Sequence, residues 1–216
     1  MQSDQIELLI ATFVTFFVVI DAVGVAPIFA SLTQPGGQAY ARRMAIKSSV
    51  VAGIILFFFA FVGPWLLDHL GISLDAFRAA GGVLLFMIAL DMVFETRGMR
   101  RKNRAEQVLA EEEQAGRLED ISVFPIGMPM IAGPGSIATA MLYMQNAQGD
   151  PLGVSIVSAA IAANLVLTAG IFLAAGPLIK VMGESVAGAV TRIFGVILAA
   201  LAVQLVIDGI KGAFSL

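Results

Sequence analysis

Phe124-Pro-Ile-Gly-Met-Pro-Met-Ile-Ala-Gly-Pro-Gly-Ser136 places three prolines and three glycines inside an apolar run from about Ile121 to Met144. The run is long enough to cross a bilayer, which takes about 20 apolar residues. Proline has no N–H to give and clashes with the preceding turn, and glycine weakens a helix. The Gly133-Pro134-Gly135 triplet is therefore expected to interrupt a membrane helix near its middle. Backbone groups freed there find no partner in lipid, so they must be buried in protein or line a polar cavity.

The rest of the chain is of the same kind. Of its 216 residues 58% are hydrophobic and only 13% charged, and the mean hydropathy is +0.90. Six apolar segments stand out, at about 6–32, 44–67, 77–94, 121–144, 152–179 and 190–210. The predicted fold is an all-α integral membrane protein with six transmembrane helices, the first and fourth discontinuous. Cysteine is absent and His69 is the only histidine, which excludes disulfides and the usual Cys and His metal centres. A net charge of −3 and a pI near 5.1 argue against nucleic-acid binding. The N-terminus carries Asp4 and Glu7 but no basic region, so the first apolar segment is expected to be retained rather than cleaved.

The first segment has its own break. Asp21 interrupts an otherwise apolar stretch, and Gly24 and Pro27 follow it. Gln34-Pro-Gly-Gly-Gln38 then reads as a turn. Residues 96–120 are the one long polar stretch, basic at first (Arg97, Arg100, Arg101, Lys102, Arg104) and acidic later (Glu111, Glu112, Glu113, Glu119, Asp120). Such a charge run is expected to be a solvated, partly helical linker. The loops after the first, third and fifth segments hold 11 of the 13 Lys and Arg residues. The positive-inside rule puts those loops in the cytoplasm and both termini outside.

The two halves resemble each other. Gly63-Pro64 and Gly176-Pro177 are 113 residues apart, and Arg78 and Arg192 are 114 apart, as are Gly81 and Gly195. The division is 1–95 for the first repeat, 96–120 for a polar cytoplasmic linker and 121–216 for the second. Three spans per half make the halves inverted with respect to the membrane. Inverted repeats led by broken helices are the build of secondary transporters, with substrate held near the midplane.

Several blocks together resemble the MarC family of inner-membrane proteins, which includes the SnatA-type transporters of small neutral amino acids. They are Ala22-Val-Gly-Val-Ala-Pro-Ile-Phe29, Leu70-Gly-Ile-Ser-Leu-Asp-Ala-Phe-Arg-Ala-Ala-Gly-Gly82, Pro125-Ile-Gly-Met-Pro-Met-Ile-Ala-Gly-Pro-Gly-Ser-Ile137, and Arg192-Ile-Phe-Gly195 with Val203-Gln204. The resemblance covers essentially the whole chain. It implies a multi-pass protein of the bacterial inner membrane, with periplasmic termini, that moves glycine, alanine, serine or threonine. The family pattern has Asp or Asn followed by Pro at positions 21 and 22, where this chain has Asp21-Ala22.

A free amino acid presents a carboxylate and an ammonium, and a broken helix suits both. N–H groups open the second half-helix and carbonyls close the first. The expected donors are Gly135, Ser136 and Ile137 at one break and Gly24 and Val25 at the other, with Gly133 leaving room for the ligand. Asp21, an acid deep in an apolar segment, is functional by default. It reads as a helix cap, a ligand for the substrate ammonium, or a site for a coupling H⁺ or Na⁺. Asn164 and Gln204 are mid-span amides that either bond between helices or line the path. Arg78 and Arg192 either snorkel to headgroups or pair with carboxylates such as Asp75 and Glu184. Asp91 reads as interfacial. Thr15, Ser48, Ser49 and Thr168 are expected to bond back to helix carbonyls.

No cofactor is expected, and homo-oligomerisation is left open. An exporter of other small solutes or drugs, or a scaffold without flux, are the competing readings. An intramembrane enzyme would need a nucleophile–base pair or paired acids across spans. Asp21 is the one deep acid, so an enzyme is not expected.

Overall fold

The computed structural model describes residues 2–115 and 120–214. They are almost all helical, with no strand among the described residues. Helix α1 (Gln2–Ile20) meets α2 (Ala22–Thr33) at Asp21, which takes left-handed backbone angles (φ 55°, ψ 50°). A short 3₁₀ turn, Gln34–Gly36, leads into α3 (Gly37–His69). Ser73 caps α4 (Leu74–Val93), its hydroxyl accepting the Ala76 N–H at 3.2 Å. The polar linker forms α5 (Thr96–Ala115). A π-helical segment, Ser122–Ile131, precedes α6 (Pro134–Asn146), then come α7 (Pro151–Leu173) and α8 (Ala175–Phe214). Helix α8 is interrupted at Gly183, whose φ of 72° and ψ of 164° are not helical.

Four stretches are long and apolar enough to cross a membrane: Asp4–His69, Leu74–Val93, Pro151–Leu173 and Ser185–Phe214. Counting the pair Ser122–Ile131 and Pro134–Asn146, which bends by 60°, makes five. Their outward faces suit lipid. Ile54, Phe58, Phe61 and Trp65 on α3, Val166 on α7 and Val196 on α8 are all exposed. A water-soluble monomer does not leave apolar surface on that scale uncovered.

The interruption expected at Gly133-Pro134-Gly135 is present, and it begins earlier than the triplet. Phe124 and Met128 depart from helical angles, and each precedes a proline, the steric restriction a proline places on its predecessor. Gly133 is extended (φ −84°, ψ 173°), and Pro134 opens α6 in the first-turn position that needs no N–H.

Two boundaries differ from the sequence expectation. Segment five ends at Leu173, and Gly176-Pro177 lie in the first turn of α8, where a proline starts a helix as readily as it ends one. Segment two is extended, since α3 begins at Gly37 and its first turns are polar.

The main core joins α1, α2 and α3 to the π-helical segment, α6 and α7. A second, smaller cluster sets Val18 and Val19 of α1 against Leu85, Ala89 and Met92 of α4 and Leu198 and Ala202 of α8. Helix α3 packs on α6 and the π-helical segment, α7 packs on α1 and α2, and α4 runs along α8. Close approach there depends on glycine. A Cβ on Gly82 would lie 2.8 Å from the Ala202 carbonyl oxygen, and one on Gly209 2.7 Å from the Asp75 carbonyl oxygen. Small residues at a crossing are how membrane helices gain packing without a hydrophobic driving force.

Candidate functional site

Asp21 is the local cause of the α1–α2 junction. A short acidic side chain tolerates the left-handed region and can bond its own backbone. Helical hydrogen bonding nevertheless continues through the junction: the Asp21 N–H donates to Phe17 at 3.1 Å and the Val25 N–H to the Asp21 carbonyl at 3.0 Å. The bend therefore frees few backbone groups and chiefly re-aims the carboxylate. Asp21 Oδ1 accepts the Gly24 N–H at 3.2 Å and the Thr191 hydroxyl of α8 at 3.0 Å. Oδ2 faces Arg101 Nη1 at 3.2 Å.

Arg101 comes from the polar linker. Helix α5 buries Arg101, Ala105 and Val108, a single stripe at the spacing of one helix face, and exposes most of its other described side chains. The Arg101 side chain is only 10% exposed and that of Asp21 1%. Burial works to lower the Arg101 pKa, while the Asp21 charge and hydrogen bond oppose it. The second guanidinium nitrogen, Nη2, lies 3.4 Å from the Met130 carbonyl oxygen, in the π-helical segment just ahead of Gly133. One guanidinium thus links the break at Asp21 to the break before α6. Nearby, Arg104 lies over the Phe124 ring, 5.5 Å from its centre, which also ties α5 to that segment.

Arg101 lines two cavities. The first, about 300 Å³, is lined by Asp21, Gly24, Glu95, Arg101, Lys102 and Thr191, among others. The second, about 350 Å³, is lined by Asp91, Arg100, Arg101, Arg104 and the Gly133-Pro134-Gly135 turn, with Leu84, Met87 and Ile88 as an apolar wall. Small clefts with a few converging polar groups are the usual form of a small-ligand site.

The expected site residues divide accordingly. Asp21 and Gly24 line the first cavity, and Gly133 and Gly135 the second. Asp21 does cap α2, but this uses the Gly24 N–H, so Gly24 is not a free donor in this conformation. Val25 is fully buried with its N–H taken by Asp21. The Ile137 N–H bonds the Gly133 carbonyl at 3.0 Å, and the buried Ser136 hydroxyl donates to Ile131 at 2.8 Å instead of capping α6. The first-turn N–H groups of Gly135 and Ser136 have no intrahelical acceptor, as at any helix start.

Asn164, 2% exposed, donates to the Phe13 carbonyl at 3.1 Å and to Ala160 at 3.0 Å, which joins α7 to α1. Gln204 faces outward from α8 and donates to Asp208 at 2.8 Å, away from both cavities. A polar residue one helical turn along supplied the partner that its apolar neighbours could not.

Other charged residues pair near the helix ends. Arg78 does meet Asp75, at 3.2 Å, and also Asn146 at 2.7 Å. Arg192 pairs with Glu95, at the α4–α5 corner; the side chain of Glu184 lies outside the described residues. Asp91 binds Arg100 at 2.8 Å. Arg101, Thr191 and Glu95 were not singled out by sequence reasoning. The one available signal was the 101–105–108 stripe, an apolar and cationic spacing inside a run dominated by charge.

These features define a multi-pass helical membrane protein whose discontinuous helices meet at a buried ion pair. The chain belongs to the MarC family of integral membrane proteins, whose family profile matches residues 6–214. It is 36% identical over 211 residues to a UPF0056 membrane protein of Methanocaldococcus jannaschii, covering 97% of this chain and 98% of that one. It is 33% identical over 208 residues to a UPF0056 membrane protein of Aquifex aeolicus, covering 94% and 92%. It is 32% identical over 204 residues to the UPF0056 membrane protein YhcE of Escherichia coli, covering 94% and 91%. No solved structure matches significantly.

Proposed function

We propose that this chain is a secondary transporter of small neutral amino acids, with its substrate site between the two discontinuous helices. The observation that carries the reading is the position of Arg101, which contacts Asp21 at one break and the Met130 carbonyl ahead of the other. Two interruptions 112 residues apart, Asp21 and Gly133, thereby border one polar centre in an apolar protein. The flanking cavities are small, and glycine at both breaks favours ligands with little side chain.

The same reading takes the chain across the bilayer six times. Asp4–His69 has 66 residues, about three times what one crossing needs. The Gln34–Gly36 turn divides it, and α2 and α3 pack against each other, as a folded-back pair does. An inverted repeat fits the packing. Exchanging the halves maps the packing of α3 on the π-helical segment and α6 onto that of α7 on α1 and α2, and maps α4 on α8 onto itself. It also maps α2 on α8 onto α6 on α4, and both pairs pack together. The charge bias of the loops supports a cytoplasmic α5 and periplasmic termini in a bacterial inner membrane.

Purified protein in liposomes, loaded with unlabelled alanine, tests this. Counterflow of labelled alanine and glycine above protein-free liposomes is expected, and imposed pH and Na⁺ gradients identify the coupling ion. Absence of flux for every small neutral amino acid, with or without either gradient, refutes the reading.

A further inference from the structure

The charges at the centre of the site define what kind of molecule it discriminates. Asp21 and Arg101 are both buried and face each other at 3.2 Å. A neutral solute cannot displace either from the other without leaving a buried charge unpaired, a costly result away from water. A simple cation can replace Arg101 on Asp21, and a simple anion can replace Asp21 on Arg101, but each leaves the second partner alone. A zwitterion carrying both charges on one carbon satisfies both at once. Its ammonium takes the Asp21 carboxylate and its carboxylate takes the guanidinium.

The surroundings permit that exchange. Asp21 is held from its other side by the Gly24 N–H and the Thr191 hydroxyl, so it stays aimed at the cavity when the guanidinium moves. Arg101 sits on a linker helix rather than on one of the four membrane-length stretches, and α5 is anchored to the core by Ala105 and Val108, so the exchange needs only the long Arg101 side chain to swing aside. Arg101 lines both cavities, so its side chain borders the space a ligand would occupy.

We propose that the Asp21–Arg101 ion pair is the specificity-determining element of the site. It is opened only by an α-amino acid zwitterion inserted between the two side chains, and Arg101 binds the substrate carboxylate. This rests on the transporter reading above.

The test is competition against labelled L-alanine counterflow in liposomes holding the full chain, with L-alanine, L-alaninamide and L-lactate as competitors. Alaninamide lacks the carboxylate and lactate the ammonium. For the unaltered protein, alanine is expected to compete at least about tenfold better than either, the value of one lost charge-assisted contact. Arg101→Gln is expected to bring alaninamide to within about twofold of alanine while lactate stays weak. Asp21→Asn is expected to favour lactate instead.

Wild-type discrimination retained in Arg101→Gln overturns the proposal. So does loss of alanine competition with no gain for alaninamide in a monodisperse variant, which assigns Arg101 a structural role only. Where a single variant is not recovered folded, the neutral pair Asp21→Asn with Arg101→Gln replaces it. That pair is expected to lose discrimination among all three solutes, and unchanged preference for alanine overturns the proposal. Absence of alanine counterflow by the unaltered protein is a separate outcome that removes the transporter reading itself.

Discussion

Arg101 and Asp21 are 80 residues apart in the chain, and their side chains meet at 3.2 Å in the interior. One belongs to a helix that reads as a solvated linker and the other to an apolar membrane segment. Removing one partner leaves an uncompensated buried charge, at a cost of about 3–5 kcal/mol. Asp21→Asn and Arg101→Gln are each expected to lower unfolding stability in detergent by that order. The double variant is expected to lose clearly less than the sum of the two. Additive losses would show that the pair is not coupled.

Two adjacent glycines on α4 make a matched test of the α4–α8 packing. A Cβ on Gly82 meets the Val206 side chain at 2.7 Å and the Ala202 carbonyl oxygen at 2.8 Å, while one on Gly81 meets nothing within 4 Å. Gly82→Ala is expected to destabilise by about 1–3 kcal/mol as the helices are forced apart. Gly81→Ala is expected to be neutral or to stabilise by up to about 1 kcal/mol, the ordinary helix preference of alanine. Thermal unfolding of both variants in one detergent checks the contrast.

The start of α6 is tight but lined by side-chain tips. A Cβ on Gly135 would lie 2.6 Å from Ile88 Cδ1 and 3.3 Å from Val19 Cγ1. Ile88 can rotate away from one methyl but not from a branched chain. Gly135→Ala is expected to keep most alanine flux in liposomes, and Gly135→Leu to lose at least about tenfold. Equal flux through both would remove Gly135 from the path.

Lys47 of α3 pairs with Asp120, and this exposed contact has a defined pH dependence. The hydrogen bond from Lys47, followed by that from the Ser122 hydroxyl, holds the Asp120 carboxyl down at about 2, from an ordinary value of 3.8. A depressed carboxyl stabilises the fold above its unfolded value, and that contribution is lost as pH falls through the folded value. The contact is therefore expected to be intact at pH 4 and above and to vanish near pH 2. Carboxyl chemical shifts of selectively labelled Asp120 in detergent report the midpoint, and a midpoint near the ordinary aspartate value contradicts the pairing.

The interruptions were legible because proline and glycine act locally. Gly133-Pro134-Gly135 breaks a helix whatever surrounds it, and Asp21 is conspicuous against Phe16, Phe17, Val18, Val19 and Ile20. Thr15, Ser48, Ser49 and Thr168 were legible for the same reason, each bonding a carbonyl three or four residues back. Arg101 was not, because its burial depends on where α5 docks, a long-range matter. In sequence it is one of five cations within eight residues, and nothing in composition separates it from Arg100, which stays largely exposed. Gln204 failed in the opposite way. Its apolar neighbours suggested an amide that bonds between helices or lines the path, but rotation of α8 turns it outward to Asp208 of the same helix.

The absence of cysteine makes the most direct test practicable, since any introduced cysteine is the only thiol. Thr191 lines the first cavity beside Asp21, whereas Val166 on α7 faces outward. Labelling of Thr191→Cys and Val166→Cys by a small thiol reagent, with and without alanine, reads occupancy of the cavity itself. Alanine is expected to slow labelling at position 191 in a saturable way and to leave position 166 unchanged. Labelling at position 191 that is unaffected by alanine, glycine, serine and threonine alike would contradict a substrate site between the two breaks.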